Sequence, residues 1–173
     1  MSSRSSIRAA ACPPAAGSFV AGDDDLALVG EAEMGSVSAF EVLSSRYDRA
    51  ILSLLLHLTE CETEALDLCR AVFLAAYRNL PRRKTESVYV WLYQIAAEQW
   101  LQRTPDTVGT PGLKSDRQFP ALSDRERLVF TLKSAERLAL RTVAMILYDS
   151  EEAIARTFSR AVGKLQADSK RNY

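Results

Sequence analysis

Apolar residues recur at steps of three and four along most of the chain, which is the spacing of one face of a helix. One run spans residues 36–58, and its apolar members are Phe40, Leu43, Tyr47, Ile51, Leu54 or Leu55, and Leu58. Another spans residues 62–80 and stops before Pro81, because proline cannot continue a helix. A third covers residues 86–103. Stripes of this length predict helices that bury one side against other helices.

Two stretches lack this periodicity. Residues 1–22 have no bulky apolar core and contain Pro13 and Pro14, so they predict a disordered N-terminal tail rather than a signal peptide. Residues 104–121 are rich in proline and glycine and predict a flexible linker. The chain therefore divides into a helical domain over 23–103 and a second over 122–173. We expect these two units to fold independently and to move relative to each other.

The C-terminal unit reads as three short helices with tight joints. Ser123 can cap the first, and Ser150 can cap the third, with Glu151 and Glu152 in its first turn. At the joint before the third helix, Asp149 could adopt the left-handed conformation that a glycine usually supplies. Within the second helix the apolar residues are Leu138, Val143, Ala144, Ile146 and Leu147.

The third helix of this unit has an apolar side and a basic side. Its apolar stripe consists of Ile154, Phe158, Ala161 and Leu165. Arg156, Arg160 and Lys164 gather on the far side, and Glu152 lies one turn before Arg156, where the two could pair. A helix-turn-helix presents its recognition helix to a major groove in this way. A surface helix on any helical bundle has the same pattern, so both interpretations stay open.

A second nucleic-acid candidate lies in the N-terminal unit. The basic run Arg82, Arg83 and Lys84 precedes a helix that carries Tyr89 and Trp91. Cations beside aromatic rings suit single-stranded nucleic acid, because the cations hold the backbone while the rings stack on unpaired bases. The alternative is a solvated basic turn followed by aromatic residues of the core.

Composition excludes several other classes of function. The 173 residues carry no net formal charge, but acids dominate residues 23–103 and basic residues dominate 122–173. The three cysteines show no metal-binding spacing and predict reduced thiols in a cytoplasmic protein. His57 is the single histidine, so no second histidine can complete a catalytic pair. We predict no metal, no cofactor, no membrane span and no enzymatic activity.

Three sets of residues follow one another in the C-terminal unit: Leu122, Arg127, Val129, Phe130 and Leu132, then Val143, Ala144, Ile146 and Leu147, then Ser150, Ile154, Arg160, Ala161 and Leu165. In this order they resemble region four of the bacterial extracytoplasmic-function (group IV) sigma factors. The resemblance implies that this unit contacts the −35 promoter element, with Arg156, Arg160 and Lys164 as its DNA-binding residues.

The N-terminal unit contains the segments AFEVLSSRYDRAI, EALDLCRAVFLAAYRNL and VWLYQIA, in that order. These segments resemble region two of the same family. The resemblance implies that the second segment docks on core RNA polymerase and that residues 82–103 open and read the −10 element. The polymerase-binding residues would then be Asp67, Arg70, Phe73, Leu74 and Arg78.

These observations predict an all-α protein made of two small helical domains, the second a helix-turn-helix. The expected function is that of a divergent sigma factor whose partners are core RNA polymerase, promoter DNA and an anti-sigma factor. Departures from the family pattern keep an alternative open. At Arg70, Glu98, Glu152 and Ala155 the chain differs from the family's usual residues. The alternative is a sigma-like interaction protein that binds polymerase or a regulator without recognising a promoter.

Overall fold

The computed structural model describes residues 23–83, 87–103 and 122–171, and these form helices joined by short turns without a strand. The helices are α1 (Asp23–Glu33), α2 (Val37–Thr59), α3 (Glu62–Asn79), α4 (Val88–Gln102), α5 (Asp124–Ser134), α6 (Leu140–Leu147) and α7 (Glu151–Arg171). A short 3-10 helix, Leu80–Arg82, follows α3. The all-α prediction is confirmed. The predicted tail and linker lie outside the described residues.

Serine side chains start four of these helices, namely α2, α4, α5 and α7. The Ser36 hydroxyl accepts a hydrogen bond from the Ala39 amide at the start of α2, and Ser87 does the same at the start of α4. Ser123 begins α5 with a reciprocal capping box, in which the Glu126 side chain accepts the Ser123 amide. Each cap satisfies backbone donors that a helix leaves without an internal partner.

The apolar face of α2 is buried along its length, as its periodicity predicts. This helix ends at Glu60, which has φ 57 and ψ 16 and so adopts the left-handed conformation that usually favours glycine. The buried face of α3 includes a thiol as well as aliphatic side chains. Cys69 is buried beside Val72 and Ala76, whereas Leu68 is only partly covered.

Helix α4 lies at the centre of the molecule. Every residue from Val88 to Ala97 is buried, and α4 packs against α2, α3, α5 and α6. A helix that is apolar on all sides can be covered in this way. Helix α4 therefore joins the packing of the N-terminal helices to that of the C-terminal ones.

Residues of both predicted units belong to one hydrophobic core. Ile51 and Leu92 from the first range and Leu128, Ile146 and Ile154 from the second are all members of it. The two ranges are thus packed together in this structure. The domain boundaries, and the independent motion expected of the two units, stay predictions.

Candidate polymerase and nucleic-acid interfaces

The predicted polymerase-binding residues lie together on α3. Asp67, Arg70 and Arg78 are exposed, and Phe73 is partly covered. Leu74 leaves 50% of its surface exposed, which is unusual for a large apolar side chain on a helix that also has a buried face. Helix α3 therefore offers an apolar and charged surface to solvent on the side opposite its core stripe.

A groove separates this surface from α2. It is lined by Glu41, Ser44, Ser45, Asp48, Leu66, Cys69, Arg70 and Phe73. The Cys69 thiol donates a hydrogen bond to Asp48 Oδ1 at 3.6 Å. Burial, together with the charge of Asp48, raises the pKa of Cys69 to about 12. The thiol is therefore protonated at neutral pH, and its role in the groove is packing rather than nucleophilic chemistry.

The basic run ahead of α4 is only partly within the described residues. Arg82 is exposed in the 3-10 helix, Arg83 is partly covered, and Lys84 lies outside the described part of the chain. Arg82 is thus a surface cation near the start of α4.

The aromatic residues predicted to stack on bases are inside the molecule. Tyr89 and Trp91 keep only 6% and 5% of their surface exposed. The Tyr89 and Tyr93 rings lie 4.3 Å apart, and the Tyr93 hydroxyl donates to Glu136 Oε2 at 3.1 Å. Burial raises the pKa of Tyr89 to about 12. In this arrangement neither Tyr89 nor Trp91 presents a ring face to an unpaired base.

Helices α6 and α7 are joined by a turn of three residues, 148–150. Tyr148, rather than Asp149, takes the left-handed conformation, with φ 51 and ψ 44, which corrects the expectation from the sequence. Asp149 instead accepts the Ser150 amide at 2.8 Å and pairs with Arg125 at 2.5 Å. These two interactions lower the pKa of Asp149. The Ser150 hydroxyl accepts the Ala153 amide at 3.2 Å and so starts α7 as predicted.

The basic residues of α7 have different environments. Arg156 and Arg160 are exposed, and the predicted ion pair between Glu152 and Arg156 is absent from the ion pairs of the described residues. Lys164 is paired instead, because its Nζ lies 2.7 Å from Glu126 Oε2. Two of the predicted DNA-binding cations therefore remain available on α7, and the third is neutralised.

Glu126 combines two structural roles. Its carboxylate completes the α5 capping box and holds Lys164, although only 5% of its side chain is exposed. Burial alone would raise its pKa, but the hydrogen bonds from Lys164 and Ser123 outweigh burial, and the pKa is lowered. Glu126 is thus ionised at neutral pH and fixes the position of the Lys164 ammonium group.

Several polar residues were not anticipated from the sequence. Asp25 accepts hydrogen bonds from Arg46 and Tyr47, each at 2.6 Å, and so ties α1 to α2. Arg127, which is only 3% exposed, donates to Glu60 at 2.8 Å. Arg127 is one of the residues that resemble region four, but the local sequence pattern does not identify its partner.

Neither a metal centre nor a membrane span is visible in the described ranges. Over 23–83, 87–103 and 122–171, no group of His, Cys, Asp and Glu side chains converges to hold a metal ion. None of the helices described there combines the length and apolarity that crossing a membrane requires.

Comparisons with known proteins agree with this geometry. Residues 43–104, which cover most of α2 and all of α3 and α4, match the family described as Sigma-70 region 2. The RNA polymerase sigma-H factor of Pseudomonas aeruginosa is 35% identical over 75 residues. That match covers 43% of this chain and 39% of the relative, so the chain spans about two-fifths of the relative's length.

A solved structure extends the likeness beyond region two. CnrH, in its complex with the cytosolic domain of CnrY, is similar with a TM-score of 0.65 and 22% identity. The likeness covers 87% of this chain and 100% of the other, and at this identity it concerns the fold.

Sigma factors are transcription initiation factors and not enzymes. The family match covers the same helices whose sequence segments resemble region two. The similarity to a sigma-factor relative supports this match. The resemblance predicted from the sequence is confirmed for its region-two part, and residues 43–104 form a sigma-70 region 2 domain.

Proposed function

We propose that this chain binds core RNA polymerase through α3 and directs it to promoter DNA, as a divergent sigma factor of the extracytoplasmic-function kind. The observation that carries the proposal is the region-two match over α2 to α4, combined with the exposed face of α3. The polymerase supplies the chemistry, and this subunit supplies its position on DNA.

The surface of α3 has the composition of a protein docking site. Leu74 and Tyr77 are 50% and 38% exposed, and Asp67 and Arg70 lie among them. Asp67 and Arg70 pair at 3.3 Å, but both side chains are more than three-quarters exposed, so the pair contributes little to stability. Both charges are therefore available to a partner at little cost to the fold.

The DNA-facing element of the C-terminal half is α7. Arg156 and Arg160 lie four residues apart and are both exposed, so they can contact neighbouring phosphates from one side of the helix. With Lys164 neutralised by Glu126, two phosphate contacts predict a logarithmic salt slope of about −2. Binding by α7 alone is expected to be weak, and its dependence on ionic strength is expected to be shallow.

A second candidate function rests on specific observations. Glu151 and Glu152 are exposed at the start of α7, where their negative charges repel phosphate. Helix α4, the other element expected to contact DNA, is buried. The CnrH structure supports a protein partner, because CnrH is seen in complex with the cytosolic domain of CnrY. A protein of this kind would bind polymerase or a regulator such as an anti-sigma factor without reading a promoter.

Run-off transcription separates the two functions. Core RNA polymerase is incubated with genomic fragments, with and without the purified chain. Discrete transcripts that require the chain support the sigma factor. Stable binding of the chain to core polymerase without such transcripts supports the interaction protein.

The docking surface is tested with one pair of variants. Leu74→Asp puts a charge into the exposed apolar face of α3 and should reduce co-purification with core polymerase at least tenfold. Met34→Asp makes the same change at a residue that is 84% exposed at the end of α1, and binding should stay unchanged. Equal loss in both variants would contradict α3 as the docking site.

A further inference from the structure

The groove between α2 and α3 has two unlike walls. The α2 wall is made of polar side chains, and the α3 wall is mostly apolar and consists of Leu66, Cys69, Arg70 and Phe73. The groove has a volume of about 670 Å³, which is enough for several side chains of a peptide segment. An occupant that suits both walls therefore needs polar groups on one side and an apolar group on the other.

Two carboxylates on the α2 wall are open to an added cation. Glu41 and Asp48 are exposed, and neither takes part in an ion pair within the described residues. Arg70, the cation of the facing wall, pairs with Asp67 at 3.3 Å. The two carboxylates lie on one side of α2 and roughly 10 Å apart along its axis. Two cations at a similar spacing would complement this wall.

One segment outside the described residues carries such a charge pattern. Residues 1–22 contain Arg4 and Arg8 and no acidic residue, whereas residues 104–121 contain acidic and basic residues in equal number. In an extended segment Arg4 and Arg8 are about 13 Å apart and point to the same side. Ile7 points to the other side, because side chains alternate along an extended backbone. The spacing therefore matches two carboxylates on one wall and an apolar surface on the other.

This segment joins the described chain beside the same part of α2. Asp25 of α1 accepts hydrogen bonds from Arg46 and Tyr47, each at 2.6 Å. The residues on either side of these two donors line the groove. Residues 9–22 can span up to about 45 Å, which is several times the diameter of a helix. The chain is therefore long enough to bring Arg4 and Arg8 across α2 into the groove.

We propose that residues 1–22 occupy the groove between α2 and α3 of their own chain. Arg4 and Arg8 pair with the two carboxylates of the α2 wall, and Ile7 contacts the apolar wall. Exposed ion pairs contribute little each, so the contact has an affinity on the order of 1 mM. Both partners belong to one chain, so their effective concentration is also on the order of 1 mM, and about half of the molecules are occupied.

The occupied groove restricts access to α3. Arg70 and Phe73 line the groove, and both are among the residues predicted to bind polymerase. A partner that needs the empty groove loses about twofold in apparent affinity when half of the molecules are occupied. This consequence rests on the proposed function, whereas the contact itself does not. The segment is thus a competitor of polymerase that the chain carries with it.

A spin label on Cys12 tests the contact in the full-length chain. Cys61→Ser removes the exposed thiol, and Cys69 does not react because it is buried and protonated. The amide resonances of residues 44–48 and 69–73 are then measured in the isotope-labelled protein. With about half of the molecules occupied, these resonances should lose about half or more of their intensity.

Charge reversal in the segment separates docking from mere tethering. Arg4→Glu with Arg8→Glu keeps the label and the length of the chain but replaces attraction by repulsion. The resonances of the groove should then recover. They should also recover in part for the parent in 1 M salt, because the Debye length falls to about 3 Å. Equal attenuation in the parent and in the reversed variant would overturn the proposal.

A matched pair of variants tests the groove itself. Glu41→Gln with Asp48→Asn removes the two carboxylates of the α2 wall and keeps the shape of both side chains. Glu31→Gln with Glu33→Gln removes two exposed carboxylates of α1, which is nearer to the segment along the chain. The groove resonances should recover in the first variant and stay attenuated in the second. Equal recovery in both variants would contradict the groove as the docking site.

Mixing two samples distinguishes the chain's own segment from that of a second copy. One sample carries the spin label without the isotope, and the other carries the isotope without the spin label. The groove resonances of the mixture should keep their full intensity. Attenuation in the mixture would overturn the proposal and assign the groove to a neighbouring molecule.

Affinity for core RNA polymerase tests the consequence separately. Arg4→Glu with Arg8→Glu should bind core polymerase about twofold more tightly than the parent, and Glu31→Gln with Glu33→Gln should bind like the parent. Attenuation without any binding to polymerase would contradict the proposed function and support the contact. Polymerase binding without attenuation would overturn the contact alone. Attenuation with equal polymerase affinity in the parent and the reversed variant would overturn the competition.

Discussion

Helices α4 and α7 were both predicted to contact DNA, but the two helices differ in their exposure to solvent. Helix α4 is buried from Val88 to Ala97, whereas α7 exposes Arg156 and Arg160. Aromatic residues that could stack on bases also satisfy the requirements of a central core helix, so their spacing does not reveal exposure. Cations on one side of an amphipathic helix are a more reliable sign of surface, because an unpaired charge is rarely buried.

The largest difference between the helices should appear in stability. Trp91→Ala removes a buried indole from α4 and should lower the free energy of unfolding by about 3–5 kcal/mol. Arg160→Ala changes an exposed position of α7 and should stay within about 0.5 kcal/mol. Urea denaturation of the two variants measures both values. A cost below 1 kcal/mol for Trp91→Ala would mean that α4 is not buried in solution.

The second prediction concerns the neutralised cation of α7. Glu126→Gln keeps a side chain that can complete the α5 cap but removes the charge that holds Lys164. The freed ammonium adds one phosphate contact, so the salt slope of DNA binding should change from about −2 to about −3. The slope follows from affinity measurements across a series of salt concentrations.

Glu152→Gln is the control for that prediction. It removes one negative charge from the exposed start of α7 without releasing Lys164. Affinity should rise slightly, and the slope should stay near its parent value. A steeper salt slope in Glu152→Gln, or an unchanged salt slope in Glu126→Gln, would contradict the prediction that Glu126 keeps Lys164 from contacting DNA.

Acidity should change the contributions of Glu136 and Glu126 to stability in opposite directions. Burial raises the pKa of Glu136 above its ordinary value of 4.5, although the hydrogen bonds from Tyr93 and Ser53 and the charge of His57 oppose the rise. The folded state then binds more protons than the unfolded state, so this contribution to stability grows as pH falls through the folded pKa. The pKa of Glu126 is lowered, so its contribution is present above 4.5 and is lost as pH falls through the folded value.

Thermal unfolding as a function of pH distinguishes these contributions. Glu136→Gln should flatten the gain in stability above pH 4.5, and Glu126→Gln should flatten the loss below it. The two windows do not overlap, so each variant is a control for the other. A change in the same window for both variants would contradict the assignment.

The smallest expected effect concerns the turn that leads into α7. Tyr148 is 70% exposed and left-handed, so its side chain contributes little to packing while its backbone is strained. Tyr148→Gly should stabilise the protein by about 0.5–1 kcal/mol, because the relief of strain exceeds the entropy that glycine loses on folding. Tyr148→Ala keeps the strain and should not stabilise. Urea denaturation would contradict this account if both variants behaved alike.

Local features of the fold were predictable from the sequence, and contacts between distant segments were not. The apolar stripe of α2 and the caps at Ser123 and Ser150 follow from the residue pattern within a few positions. The Arg127–Glu60 pair joins residues 67 positions apart. Periodicity contains no information about such a pair, so only the structure reveals it.

The same distinction between local features and distant contacts applies to the candidate functional residues. Exposure of Asp67, Arg70 and Arg78 follows from their place outside the α3 stripe. The ion pair of Lys164 does not follow from the pattern, because its partner Glu126 is 38 residues away in the sequence. Charge counting therefore overestimates the number of cations that α7 offers to DNA.

The conformation of Glu60 has a consequence for protein engineering. A left-handed residue at the end of a helix is an ordinary target for thermostabilisation, and glycine is the usual replacement. At this position glycine would relax the backbone of the α2 terminus but delete the carboxylate that faces Arg127. A screen that selects for heat resistance should therefore not favour glycine at position 60, because the lost ion pair offsets the relaxed backbone.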